Sequence, residues 1–230
     1  MISERLKTVA QLAGHGDTAA DIGTDHGFVA VELVESGCFK RAIAADINEG
    51  PLLKAKKNIE KAGLSDRIET VLSDGACELV PGRQDVIIVC GMGGELVRHI
   101  MEEGEAVFKS AKRIVLGPQS QVADLRRFLV SRKYRTLCEK MVYDQGKYYF
   151  LMSVVYDSST SDALTDVQAE FGRELLINRD EVLYKYLLRE REIARGVLLR
   201  IPEGNEDRTK CIDRLKLIEE AMEYYDQTGD

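Results

Sequence analysis

The chain has 230 residues, 44% of them hydrophobic and 31% charged, with a formal net charge of −7. That length and composition suit one substantial α/β domain with a smaller appendage, and the acidic balance argues against a general nucleic-acid coat while leaving room for a local basic face. No apolar run approaches the ~20 residues that span a bilayer, and Met1-Ile2-Ser3-Glu4-Arg5 lacks a signal peptide's apolar segment, so a cytoplasmic location away from any membrane is expected.

Five scattered cysteines without a C-x-x-C pair, and three histidines without ligand spacing, predict neither a disulfide framework nor a metal site. Residues 2–13 set Ile2, Leu6, Val9 and Ala13 on one stripe of a short helix. The apolar run Thr18-Ala19-Ala20 then leads into Asp21-Ile22-Gly23-Thr24-Asp25-His26-Gly27, ahead of a helix-like stretch over 28–34. A strand that passes through a glycine turn into a helix brings bare backbone N–H groups beside a ligand. The spacing D-x-G-x-x-x-G differs from the dinucleotide fingerprint G-x-G-x-x-G, and its leading carboxylate would repel a diphosphate. S-adenosylmethionine, with an amine, a ribose diol and no phosphate, suits it better. The plainer alternative is a structural turn built from ordinary turn formers.

Arg41–Asp46 reads as a buried parallel strand ending in an acid about 25 residues beyond Asp21, near the interval at which an acid accepts from ribose hydroxyls; the alternative is a helix N-cap. Pro51 opens a helix with Leu52, Leu53, Ala55, Ile59 and Ala62 on its apolar side and lysines towards water. Arg67–Leu72 alternates into a third strand, followed by the turn Ser73-Asp74-Gly75. Asp85–Cys90, the most hydrophobic strand, runs into Gly91-Met92-Gly93-Gly94 and another helix, so both glycine turns border one crevice beyond the strands' carboxyl ends. A fifth strand over 112–116, a helix after Gly117-Pro118-Gln119-Ser120, and two antiparallel strands over 134–143 and 147–156 complete five βα units closed by a hairpin.

Ser158–Asp162 is a polar boundary. The expected domains are therefore 1–157, a cofactor-binding domain, and 158–230, a helical one. In the latter, Cys211, Leu215, Ile218, Met222 and Tyr225 repeat at coiled-coil steps, facing a stripe of Leu183, Leu187, Ala194, Val197 and Ile201 that Glu190 interrupts. An antiparallel coiled-coil hairpin follows.

The first turn resembles the opening motif of class I S-adenosylmethionine-dependent methyltransferases. Together, Arg5-Leu6, the 21–27 turn, Gly91-Met92-Gly93-Gly94 and the C-terminal hairpin resemble the bacterial tRNA (adenine-22-N1)-methyltransferase family, TrmK. The resemblance implies a Rossmann-like seven-stranded sheet with a C-terminal helical hairpin, S-adenosylmethionine as cofactor, tRNA as partner, and transfer to N1 of an adenine. It implies cofactor contacts from Asp21, Gly23, His26, Gly27, Asp46, Ile47, Asn48, Asp74, Gly75 and Gly91, with Asp74 meeting the adenine amino group or forming an Asx turn. Asp25, Cys90, Gly91 and Met92 would hold the acceptor base, Asp25 being a helix cap otherwise.

Arg5, Lys7, Gly93, Gly94, Arg126 and Arg127 would meet the substrate, within a concentration of positive charge that also includes Arg132, Lys133 and Arg135. Adenine N1 offers a lone pair at neutral pH, so alignment rather than a base or nucleophile is the expected source of catalysis. A small-molecule methyltransferase and a non-catalytic RNA-binding protein are the competing readings.

Overall fold

The computed structural model describes residues 3–160 and 163–226; Ile2 of the first helical stripe and Ser161 and Asp162 of the polar boundary lie outside them. The chain divides into two compact units, Met1–Asp162 and Ala163–Asp230.

The first unit runs α1 (Glu4–Ala13), β1 (Gly16–Ile22), α2 (Phe28–Glu35), β2 (Phe39–Asp46), α3 (Glu49–Lys61), β3 (Ile68–Leu72), β4 (Val86–Cys90), α4 (Gly94–Glu103), α5 (Glu105–Ser110), β5 (Arg113–Gly117), α6 (Val122–Ser131), β6 (Tyr134–Asp144) and β7 (Lys147–Tyr156). The strands form one sheet in the order β3-β2-β1-β4-β5-β7-β6, the last two joined as an antiparallel hairpin. This is the seven-stranded architecture expected of five strand–helix units closed by a hairpin.

Period-two alternation sorts the core between the faces. Ala20, Ile22, Ile87, Val89, Ile114 and Leu116 pack with α4, α5 and α6, whereas Ala19, Val86, Ile88 and Val115 pack with Val9 and Leu12 of α1 and Leu33 of α2. Ser3 caps α1 by accepting from the N–H of Leu6, and Arg113 Nη1 donates to the carbonyl of Leu12 at the helix's other end, 2.9 Å away.

One expected unit differs. Among the described residues no helix stands between β3 and β4. Asp74-Gly75 and Pro81-Gly82 punctuate this segment and leave five residues between them, too few for the costly nucleus of a helix; the backbone instead makes tight turns, Cys77 N–H to Asp74 O and Leu79 N–H to Ala76 O. The face of β2 and β3 that such a helix would cover opens into a cavity of about 680 Å3 lined by Arg41, Ile43, Glu69, Val71 and Gln84. It lies apart from both glycine turns.

A second difference concerns Arg126, which the sequence placed among the substrate contacts. It is 4% exposed on α6; its Nε donates to Glu139 Oε1 at 2.8 Å and its guanidinium covers the Phe150 ring at 4.9 Å. A buried guanidinium needs a buried carboxylate, and β6 supplies it, so this arginine holds α6 on the hairpin and is unavailable to a phosphate.

In the second unit, α7 (Asp166–Phe171), α8 (Arg173–Ile177), α9 (Glu181–Leu198) and α10 (Glu206–Asp226) form a helical cluster. Asp180 caps α9 by accepting from the N–H groups of Val182 and Leu183 at 2.9 Å each. Arg208 Nη1 closes the turn into α10 by donating to the carbonyls of Leu198 and Ile201, both at 2.8 Å. The α9–α10 pair is the expected antiparallel hairpin, with Tyr184 against Tyr225 and Ala194 against Cys211. The seam is shorter than the heptad pattern predicts. Val197 is exposed, while Phe171, Leu175 and Leu176 of α7 and α8 are buried like Leu183, Leu187, Ile218 and Met222. Glu190 is answered by Arg214 of α10, which also pairs with Glu170. No helix of the described residues is long and apolar enough to cross a membrane.

Removing one member of a buried ion pair strands the other, at a cost of about 3–5 kcal/mol. Arg126→Ala is therefore expected to lower the urea midpoint of the first unit's unfolding steeply. Arg126→Met combined with Glu139→Leu should restore most of the loss, measured by circular dichroism.

Candidate active site

The carboxyl ends of β1 and β2 are tied through the first glycine turn. Gly23 and Thr24 both donate their N–H groups to the carbonyl of Ala45, at 2.8 and 3.0 Å. Thr24 Oγ1 accepts from the N–H of Gly27 at 3.1 Å, and Asn58 of α3 donates to the carbonyl of His26 at 2.9 Å. Gly23 has φ +77° and Gly27 φ +70°; a Cβ on Gly27 would stand 3.1 Å from that of Ala55, so the turn's geometry and its approach to α3 both call for glycine there.

Asp21, 6% exposed, points out of β1 under this turn. Burial pushes its carboxyl up to about 6, opposed by the hydrogen bond with Thr24 and reinforced by the charge of Asp46. Asp46 ends β2, half-buried, with Oδ1 accepting from the N–H of Asn48 at 2.8 Å. A buried carboxyl with a second acid beside it favours a ligand that brings cationic charge or N–H and O–H donors, and disfavours a phosphate.

Further along the same edge, the N–H of Ser73 donates to the carbonyl of Asp46 at 2.9 Å, which sets the exposed Asp74 beside it. Gly75 has φ +55°, and a Cβ there would stand 3.0 Å from Ile100 Cγ2. Phe28, Ile47 and Leu72 are each more than half exposed at this edge, an apolar rim of which the sequence singled out only Ile47. Phe28 stacks on the ring of His26 at 5.3 Å. Asp25 is turned towards His26 Nε2 at 3.0 Å and Lys54 at 3.6 Å, on the α3 side of the turn.

The second glycine turn meets the first. Gly91 donates to the carbonyl of Gly117 at 3.0 Å, Gln119 to that of Met92 at 2.8 Å, and Gly94 to that of Ser120 at 2.9 Å, so the loops after β4 and β5 are zipped together. A Cβ on Gly94 would lie 2.6 Å from the Gln121 oxygen and 2.8 Å from that of Ser120. A Cβ on Gly23 would fall 1.8 Å from Met92 Cε. Met92 thus reaches across to the first turn. Beside it, burial pushes the Cys90 thiol up to about 12, with Asp21 adding to the rise and Arg5 opposing it. A thiol so held stays protonated at neutral pH and is no nucleophile. No cluster suited to a metal ion is found among the described residues.

The residues predicted to hold a cofactor, Asp21, Gly23, His26, Gly27, Asp46, Ile47, Asn48, Asp74, Gly75 and Gly91, therefore line one edge, with Cys90 and Met92, predicted to hold the acceptor base, and Gly93 and Gly94, predicted to meet the substrate, beside it. Asp25, predicted to hold the acceptor base, lies beside His26 and Lys54 instead.

Comparison with known proteins agrees with this geometry. A family model described as a methyltransferase domain matches residues 2–152. The tRNA (adenine(22)-N(1))-methyltransferase of Bacillus subtilis is 30% identical, with 97% of this chain and 98% of the relative aligned. Streptococcus pneumoniae Sp1610, solved in complex with S-adenosyl-L-methionine, is 31% identical with a TM-score of 0.87 over 96% of this chain and 100% of its own. TrmK of M. capricolum, solved with S-adenosyl-homocysteine, is 29% identical with a TM-score of 0.85 over 97% and 99% of the two chains. With its sheet, its paired glycine turns and its full-length relatives in agreement, the chain belongs to the TrmK family of class I methyltransferases.

Proposed function

We propose that the protein transfers the methyl group of S-adenosylmethionine to N1 of adenine 22 in tRNA. The observation that carries this reading is the acid-lined crevice of Asp21 and Asp46, joined by Met92 to an acceptor loop that offers no nucleophile, in a chain aligned almost end to end with a tRNA adenine-N1 enzyme. A tRNA substrate implies work in the cytoplasm.

The cofactor supplies an electrophilic methyl on a sulfonium. The chain's own residues then have positioning to do. Asp21 would accept from the cofactor's amine, Asp46 from its ribose hydroxyls and Asp74 from its adenine amino group, while Gly23 and Gly27 would leave room for it at the first turn and Ile47, Asn48, Gly75, Gly91 and His26 would wall the site. Cys90, Gly91, Met92, Gly93 and Gly94 shape the place of the acceptor base.

Adenine N1 brings its own lone pair, so no residue need remove a proton before transfer, and alignment carries the rate. Cys90 serves as a protonated wall. Asp25, committed to His26 and Lys54, braces the turn in this reading instead of touching adenine.

Incubation of unmodified tRNA with the protein and labelled cofactor, followed by mapping of the modified nucleotide, should place 1-methyladenine at position 22. Methyl in small acceptors only, or at another nucleotide, would refute the reading. The raised carboxyl of Asp21 sets a pH dependence. A bound amine favours the carboxylate, so below about pH 6 binding must first displace its proton. Affinity for S-adenosylhomocysteine should then fall by about tenfold per pH unit below that point and level off above it; Asp21→Asn should flatten the profile, as read by calorimetry. Gly94→Ala, which drives a methyl into the Ser120 and Gln121 carbonyls, should lower methyl transfer by about tenfold to a hundredfold. Cofactor affinity should survive that substitution.

A further inference from the structure

Most of the cations expected to face RNA already have partners. Lys7 lies 3.5 Å from Glu4, Arg127 3.9 Å from Asp124, Arg132 2.6 Å from Glu102 and Arg135 3.2 Å from Asp157. Lys133 donates to the carbonyl of Thr160 at 2.9 Å, and Arg126 is sealed against Glu139. Arg5 differs. Its guanidinium lies 4.8 Å above the ring of Tyr149, and it forms no ion pair among the described residues. In a chain of net charge −7, an arginine without an ion pair beside the crevice is suited to admit a phosphate.

The register fixes where Tyr149 stands. Cys90 of β4 pairs with Gly117 of β5, and a Cβ on Gly117 would lie 2.8 Å from Cys90 Sγ and 3.0 Å from Leu151 Cδ2. Tyr149 precedes Leu151 by two residues on β7, which runs antiparallel to β5. Its side chain therefore leaves the same face of the sheet as Leu151, about 7 Å farther out past the carboxyl ends of β4 and β5. Leu151, Cys90, Val142 and Val9 of α1 share one cluster, and Arg5 lies one helical turn before Val9. The first turn of α1 thus leans over the acceptor end of the crevice. Arg5 stands over the ring of Tyr149, which is partly exposed.

We propose that Tyr149 and Arg5 together dock the extruded nucleotide, the ring stacking on the target adenine and the guanidinium taking its phosphate, an inference that rests on the tRNA reading above. A base pulled from its stack loses a few kcal/mol of contact, and an aromatic face at the acceptor loop returns much of it. Stacking on the ring also holds the guanidinium fork in place before a phosphate arrives. The two residues come from the first helix and the seventh strand, and no sequence motif links them.

The test uses the full chain with Tyr149→Ala, Tyr149→Phe and Arg5→Ala. Three quantities are measured for each: methyl transfer to unmodified tRNA, tRNA affinity across a salt series, and S-adenosylhomocysteine affinity. Tyr149→Ala should lower kcat/KM about tenfold, and Tyr149→Phe, which keeps the ring, should recover most of that loss. Arg5→Ala should reduce the slope of log affinity against log salt by about one. Affinity for S-adenosylhomocysteine should hold throughout. Parent-level transfer by Tyr149→Ala, a parallel loss of S-adenosylhomocysteine affinity, or an unchanged salt slope in Arg5→Ala would overturn the dock while the parent's activity on tRNA kept the function intact. A parent that transfers no methyl to tRNA would overturn the tRNA reading and the dock with it.

Discussion

The contact of Met92 with Gly23 joins the two halves of the sheet's carboxyl edge, and the arrangement of the site follows from it. β1 and β4 are neighbours in the sheet, with Ile22 paired to Val89, although more than sixty residues separate them in the chain. From β1 the chain winds outward through β2 and β3; β4 and β5 extend the other way. At such a reversal the loops diverge and leave a crevice. Gly23 lacks the Cβ that would exclude the Met92 methyl, and Gly94 lacks the one that would part the loops after β4 and β5. The two sides of the crevice are thereby held in contact by two absent side-chain atoms.

Electrostatics divides the labour along that edge. Burial makes the Asp21 carboxylate costly to hold, with the charge of Asp46 adding to that cost, and a cationic or hydrogen-bonding partner offsets it. Arg5, with its guanidinium over the Tyr149 ring, is the cation proposed to meet a phosphate at the acceptor end. An acidic protein can bind RNA in this way. Binding depends on where the few uncompensated cations stand, and the chain's net charge says little about that.

Much of the fold was legible in the amino-acid pattern because its signals are local. Short apolar runs bounded by turn residues marked the strands, glycine turns marked the carboxyl edge, and the four-and-three repeat marked the long helices of the second unit. The missing helix after β3 was also encoded, in two turn-forming pairs set five residues apart, but the regular βα rhythm on either side masked it. The heptad seam was overextended for a related reason: periodicity reports which side of a helix is apolar, and cannot say that α7 and α8 supply part of the covering.

By itself the sequence determined the sheet, the two glycine turns and the acid that leads the first of them, since hydrophobic period and turn chemistry act over a few residues. Tertiary structure alone decided the fate of the charges. Arg126 and Arg127 are adjacent in an exposed-looking helical stretch, yet one is buried on Glu139 and the other lies at the surface. Arg5 and Tyr149 lie at opposite ends of the first unit's sequence and meet over Cys90 only because α1 packs on the hairpin. Burial and pairing depend on what the rest of the chain brings to a place, and a side chain's neighbours in sequence do not carry that information.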